Sequence, residues 1–159
     1  MAAVIREYDA NADREALRGC VIALQDFERE LEPALPPGAA MADSYLVFLF
    51  DQCASSSGRV FVAESEGRVA GFICVLTRVL PDGPDEPPDA YCYISDLVVL
   101  PHQRGQGIGR ALLERAEAAA RESGAGNLQV AVLVRNRAAH ELYRAYGFRE
   151  FEVHLRKRL

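Results

Sequence analysis

The segment Leu97-Val-Val-Leu-Pro-His-Gln-Arg-Gly-Gln-Gly-Ile-Gly-Arg-Ala-Leu-Leu113 carries the most specific chemical signal in the chain. An apolar run stops at Pro101, and a glycine-dense turn then leads into an amphipathic stretch, so strand, turn and helix succeed one another without a gap. Glycines at 105, 107 and 109 remove side chains that would hold a ligand away from the main chain. Successive backbone amides can then converge on an anion at the positive end of the helix. Such an arrangement is a cradle for a diphosphate. A tight strand-to-helix turn with no ligand would use the same glycines, so this segment alone leaves both readings open.

Two nucleotide motifs can be set against it. A dinucleotide fingerprint needs G-x-G-x-x-G, but here the third glycine comes one residue early, at Gly109, and Arg110 is next. A phosphate loop needs Gly-Lys before a Ser or Thr, which the segment lacks. His102, His140 and His154 have no metal-ligand spacing with cysteines or acids, so no metal is expected.

Periodicity along the chain gives the scaffold around this segment. Residues 3 to 8 alternate as a strand. Asp9 and Asn11 offer caps for a helix to about Leu31, with Leu17, Val21, Leu24 and Phe27 on one face. A second helix spans about Ala42 to Cys53. Strands are expected at Arg59 to Glu64 and Arg68 to about Leu80, joined as a hairpin by Ser65-Glu66-Gly67. The loop Pro81 to Asp89, with four prolines and four acids, cannot hold regular structure and is either a lid or a solvent-facing connection. Tyr91 to Leu100 reads as a strand, about Gly107 to Ser123 as a helix, Asn127 to Val134 as a strand, Asn136 to Tyr146 as a helix, and Phe148 to about Lys157 as a final strand.

Composition bounds the function. A chain of 159 residues with 50% hydrophobic content fits one domain spanning residues 1–159. The net charge of −5 argues against a general nucleic-acid binder. Charge is unevenly spread: from Arg104 to Leu159, ten Arg and one Lys stand against six Glu, a surface suited to an anionic cofactor. Asp26, Glu28, Glu30 and Glu32 near the first helix end either line an amine pocket or form a solvated face. The four cysteines show no C-x-x-C pair and read as free thiols of a reducing compartment. No apolar segment approaches a membrane span and no signal-peptide pattern opens the chain, so no membrane partner and a cytoplasmic location are expected.

With those residues in view, Arg104-Gly-Gln-Gly-Ile-Gly109 resembles the acetyl-CoA signature of the GNAT N-acetyltransferases, Q/R-x-x-G-x-G/A. Asn136-Arg-Ala-Ala139-His-Glu-Leu-Tyr143-Arg-Ala-Tyr-Gly147-Phe148 resembles the second signature of the same family. The two stand in the family's order, separated by one helix and one strand, and the element order matches from Val4 to Arg158. The resemblance implies an α/β fold: a mixed six- to seven-stranded sheet with splayed central parallel strands, flanked by about four helices. It also implies acetyl-CoA as cosubstrate. The backbone amides of Arg104, Gly105, Gln106, Gly107, Ile108 and Gly109 would bind its pyrophosphate. The strand backbone at Leu97, Val98 and Val99 would pair with the pantetheine arm, an amide near Val99 would polarise the thioester carbonyl, and Asn136 and Ala139 would contact the arm. Tyr143 would protonate the leaving thiolate. Homodimers are common in the family.

Direct transfer to an amine requires a free lone pair, and an alkyl amine at neutral pH is almost wholly protonated. A base or water relay is therefore needed. Asp96 is the favoured candidate, with Ser95, Tyr91 and Tyr93 also on the strand. Residues 94, 96 and 98 face opposite to 93, 95, 97 and 99 unless a bulge intervenes, and the family commonly has one here. The expected function is transfer of acetyl to a primary amine, whether a small cationic amine, an amino acid or a peptide N-terminus, by direct attack in a ternary complex. Two alternatives stand beside it: a catalytically idle acyl-CoA-binding sensor or regulatory module, and a nucleotide-binding oxidoreductase domain that would bind NAD and not CoA.

Overall fold

The computed structural model describes residues 3–159. In chain order the elements are β1 (Val4–Glu7), α1 (Arg14–Leu31), α2 (Gly38–Ser55), β2 (Gly58–Ser65), β3 (Arg68–Val79), β4 (Tyr91–Val99), a single 3-10 turn at Pro101–Gln103, α3 (Ile108–Glu122), β5 (Leu128–Val130) and α4 (Arg137–Tyr146). The strands lie in the order β1-β2-β3-β4-β5. Each of the first four is antiparallel to its neighbour, and β5 joins β4 in parallel.

Local chemistry explains most boundaries. Glu66 and Gly67, at φ 51° and 73°, make the two-residue turn with both central positions left-handed, whose twist matches that of β2 and β3. α1 begins later than its expected caps at Asp9 and Asn11. Asp13 stands at its N-cap, and its carboxylate faces β1: it accepts from Arg6 Nη1 at 2.6 Å, Arg6 Nη2 at 2.9 Å and the Asp9 amide at 2.8 Å. The arginine holds the Asp13 carboxyl below its ordinary range. α2 starts at Gly38, where α1 passes so close that a Cβ would lie 2.6 Å from the Ile22 carbonyl oxygen, which is why the position is glycine.

Two apolar clusters hold the layers. On one face of the sheet Leu17, Val21, Leu46 and Leu49 of α1 and α2 pack on Val62, Phe72, Cys74 and Val98. On the other, Leu112, Leu113, Ala116 and Tyr143 of α3 and α4 pack on Phe61, Ile73, Val75 and Ile94. Helices therefore cover both faces, as expected.

One irregularity in β4 sets which face its side chains reach. Ile94 pairs with Val75 and Asp96 with Cys74, so Ser95 is an extra residue with no partner on β3. Such a bulge reverses the in–out alternation beyond it. Before it, Cys92 and Ile94 pack toward α3 and Tyr93 toward α1 and α2. After it, Leu97 and Val99 pack toward α3 and Val98 toward α1 and α2. Asp96 is thereby turned to the α1–α2 face.

The bulge also opens the sheet. Only Cys92, Tyr93 and Ile94 pair with β5, opposite Leu128, Gln129 and Val130, so the strands part where the bulge begins. The expected strand 127–134 shortens to three residues, and the splayed parallel pair lies at the sheet edge rather than its centre. The sheet has five strands, not six or seven, because 148–157 forms no ladder among the described residues. Its alternation is real in sequence, yet a strand needs a neighbouring edge of matching length, and β5 offers three residues.

Candidate active site

The glycine turn is built as a donor cluster. Gly105 and Gly107 have φ of 75° and 81°, left-handed values that a side chain resists, and a Cβ at either would meet no heavy atom within 4 Å. The conformation and open approach, not packing, require glycine there. Gly107 is the N-cap of α3, and Ala111 is the first amide to bond back to it, at 3.1 Å. Among the described residues no carbonyl accepts from the amides of Gly105, Gln106, Gly107, Ile108, Gly109 or Arg110, and they gather at the positive end of the helix. Arg104 stands apart. Its amide closes the 3-10 turn to Pro101 at 3.3 Å. Its Nε donates to the Val99 carbonyl at 3.0 Å, and its guanidinium lies 5.1 Å from the Phe27 ring centre. Gly109 has a second reason to lack a side chain, since a Cβ would sit 3.1 Å from Leu142 Cδ2 of α4.

Beside this turn, the edge of β4 from Ser95 to Val99 carries no β-partner on the β5 side among the described residues. Leu97, Val98 and Val99 remain paired to β3 opposite Ile73, Phe72 and Gly71, which fixes that free edge in an extended form.

α4 brings the second group of residues. Asn136 Oδ1 caps it by accepting from the Ala139 amide at 3.2 Å, so this pair has a structural bond of its own. Gly147, at φ 116°, ends the helix and turns the chain so that Phe148 meets the Tyr143 ring edge-on at 5.6 Å. Tyr143 is 8% exposed. Burial raises its phenol above the ordinary tyrosine range, and the charges of Glu28 and Asp96 raise it further. The phenol on the α3–α4 face thus feels both carboxylates of the α1–α2 face.

Those carboxylates share a cavity of about 160 Å³. Val21, Leu24, Gln25 and Glu28 come from one stripe of α1, Met41 and Tyr45 from α2, and Ser95 and Asp96 from the bulge. Asp96 is 4% exposed. Tyr45 Oη donates to its Oδ1 at 2.7 Å, and Ser95 Oγ donates to its Oδ2 at 2.8 Å. Burial raises the Asp96 carboxyl while the two hydroxyl donors lower it, and burial prevails. Glu28 is also raised, by burial and then by the charge of Asp96. A larger depression of about 260 Å³ lies between β1, β2 and the end of α2, but its Glu7 and Arg59 are ion-paired with each other and neither signature reaches it.

Residues 24–148 match the family model described as the acetyltransferase (GNAT) family. The chain belongs to this family. An aminoglycoside N(6')-acetyltransferase type 1 of Stenotrophomonas maltophilia is 34% identical over 113 residues, covering 70% of this chain and 72% of the relative. A streptothricin acetyltransferase of Streptomyces lavendulae is 35% identical over 119 residues, covering 67% and 59%; the match thus spans less than two thirds of that enzyme. Among solved structures, a GCN5-related N-acetyltransferase from Ralstonia eutropha JMP134 superposes with a TM-score of 0.74 at 26% identity, covering 99% of this chain and 98% of its own. The aminoglycoside N-acetyltransferase AAC(6')-Iy in complex with CoA shares the fold, with a TM-score of 0.67 at 18% identity and 98% and 100% coverage.

This GNAT acetyltransferase is an enzyme of acetyl transfer to amines. Its structure brings Asp96, Leu97, Val98 and Val99 onto one strand beside the turn 104–109. Sequence reasoning singled out Asp96 but missed Tyr45 and Met41. The Tyr45–Asp96 contact joins residues 51 positions apart, and nothing in α2 marks the tyrosine as special. The acids near the end of α1 separate in function: Asp26 accepts from the Gly38 amide at 2.7 Å, Glu32 pairs with Arg156, Glu30 is exposed, and Glu28 faces Asp96. Among the described residues no cluster of His, Cys, Asp and Glu is arranged to hold a metal, and no helix is long and apolar enough to cross a membrane.

Proposed function

We propose that the enzyme transfers acetyl from acetyl-CoA to a primary amine, a small cationic amine, an amino acid or a peptide N-terminus, by direct attack in a ternary complex. The observation that carries this reading is the buried carboxylate at the Ser95 bulge, held by two hydroxyls beside the opening between β4 and β5. The donor turn supports the cofactor assignment. Free amides from Gly105 to Arg110 at a helix N-terminus suit a diphosphate, and the unpartnered edge of β4 at Leu97, Val98 and Val99 suits an extended amide-bearing arm. Asn136 and Ala139 would flank that arm from the start of α4. Bound acetyl-CoA supplies an activated acyl carbon to the nitrogen nucleophile.

The chain's own residues manage protons. Asp96, a stronger base than an exposed carboxylate, accepts the amine's proton directly or through water. Tyr143 stays protonated across the physiological range and holds a proton for the departing sulfur. No thiol is needed as a nucleophile: Cys20 is buried with its pKa pushed up to about 11. Relatives named for aminoglycosides and streptothricin support an amine acceptor. The reading includes a cytoplasmic location, in keeping with free cysteines, and a homodimer.

Thiol release from acetyl-CoA, followed over polyamines, amino acids, aminoglycosides and peptide N-termini, tests it. Turnover with at least one amine, abolished in Asp96→Ala, is the expected outcome. Binding of CoA without turnover on any amine would make the protein an idle acyl-CoA module instead.

A further inference from the structure

Six carboxylates are withdrawn from full exposure among the described residues: Asp13, Glu28, Glu32, Glu64, Asp96 and Glu117. Four of them hold an arginine. Asp13 and Glu64 share Arg6, Glu32 pairs with Arg156, and Glu117 pairs with Arg121. The two without a cation are Glu28 and Asp96, and both line the same cavity.

That distribution is not what folding alone favours. Withdrawing a carboxylate from water is costly unless a counter-charge accompanies it, and two like charges in one cavity add repulsion. Among the described residues no lysine, arginine or histidine lines this cavity; burial raises the Glu28 carboxyl, and the neighbouring Asp96 raises it further. Asp96 has its two hydroxyl donors, and among the described residues Glu28 is left as an open acceptor on α1. The walls between them, Val21, Leu24 and Met41, are apolar and suit an alkyl chain.

Resting on the acetyl-transfer reading, we propose that Glu28 determines acceptor specificity, binding a second, non-reacting ammonium of a diamine-type acceptor while the reacting amine lies against Asp96. In the transfer the reacting ammonium loses two protons, its nitrogen bonds to the acetyl carbon, and the carbon–sulfur bond breaks. The thiolate takes one proton and solvent receives the other through Asp96. The second ammonium keeps its charge throughout, so Glu28 acts on binding and not on the bond-making step.

Putrescine and n-butylamine, which differ only in the second amine, isolate that charge. With the full chain and saturating acetyl-CoA, kcat/KM for putrescine exceeds that for n-butylamine by about tenfold or more, as for a well-shielded ion pair. In Glu28→Gln the ratio falls to about one, through a raised KM for putrescine rather than a lowered kcat. Glu28→Asp, which keeps the charge, restores part of the preference and shows that the loss is not one of folding. A ratio near one in the wild type, or one that Glu28→Gln leaves intact, overturns the proposal. If neither compound is turned over while another amine is acetylated, this inference fails and acetyl transfer stands. If no amine is acetylated, both fail.

Discussion

At Tyr143 the ring and the hydroxyl have separable duties. The ring packs against Phe148 in the core beneath α3, while the hydroxyl joins none of the side-chain hydrogen bonds among the described residues. Tyr143→Phe should therefore keep the melting temperature nearly unchanged and lower kcat by roughly 10²-fold or more, the usual size of a lost general acid. Asp96 behaves differently, because its burial opposes its charge. A carboxyl whose folded pKa lies above its unfolded value binds its proton more tightly in the native state, so it destabilises the fold as pH rises through that window and at neutrality. Asp96→Asn should thus raise the melting temperature at pH 7, with the difference shrinking as pH falls below the unfolded carboxyl pKa. The same change should lower kcat/KM by roughly 10²- to 10⁴-fold and remove the ascending acid limb of its pH profile. Calorimetry and pH-resolved kinetics on one variant check both signs.

Among elements, the turn into α3 and the contact of α3 with α4 use neighbouring glycines for different ends. Gly107 sits at φ 81° with nothing near its absent side chain, whereas Gly109 faces Leu142 at 3.1 Å. Gly107→Val should cost about 1–2 kcal/mol from its left-handed backbone and weaken CoA binding in a calorimetric titration by tenfold or more. Gly109→Val should act mainly by wedging α3 from α4, at about 1–3 kcal/mol of stability seen in denaturant melts. Equal effects of the two on CoA affinity would contradict this division. The Ser95 bulge has comparable reach, since one extra residue turns Asp96 to the α1–α2 face and ends pairing with β5.

Over the whole molecule, charge and apolar surface are both divided. The arginine-rich C-terminal third supplies the donor turn, and the cavity lies against the more acidic N-terminal helices. Beyond α4, Phe151, Val153 and Leu155 alternate with polar residues yet are 79%, 74% and 85% exposed. A period-two apolar stripe with no ladder among the described residues suits pairing with a second copy. The expected outcome is a dimer in sedimentation that the combined change of these three residues to serine converts to a monomer. A wild-type monomer at micromolar concentration would refute it.

The two signatures, the order of elements and the presence of an acid at 96 were legible in the sequence, because backbone conformation at glycine, helix caps and apolar periodicity are local properties. Helix α3 and the β2–β3 hairpin came through nearly residue for residue for that reason. What required tertiary structure was every relation across the gap between faces. The parity of Asp96 hangs on one unpaired serine, and Tyr45 reaches it from 51 residues away. Glu28 separates from three similar acids only by where each one's neighbours lie: a backbone amide for Asp26, an arginine for Glu32, open solvent for Glu30. The last strand failed for the complementary reason. Alternation states a strand's preference, but its ladder is made by another edge, and only the folded chain decides whether that edge exists.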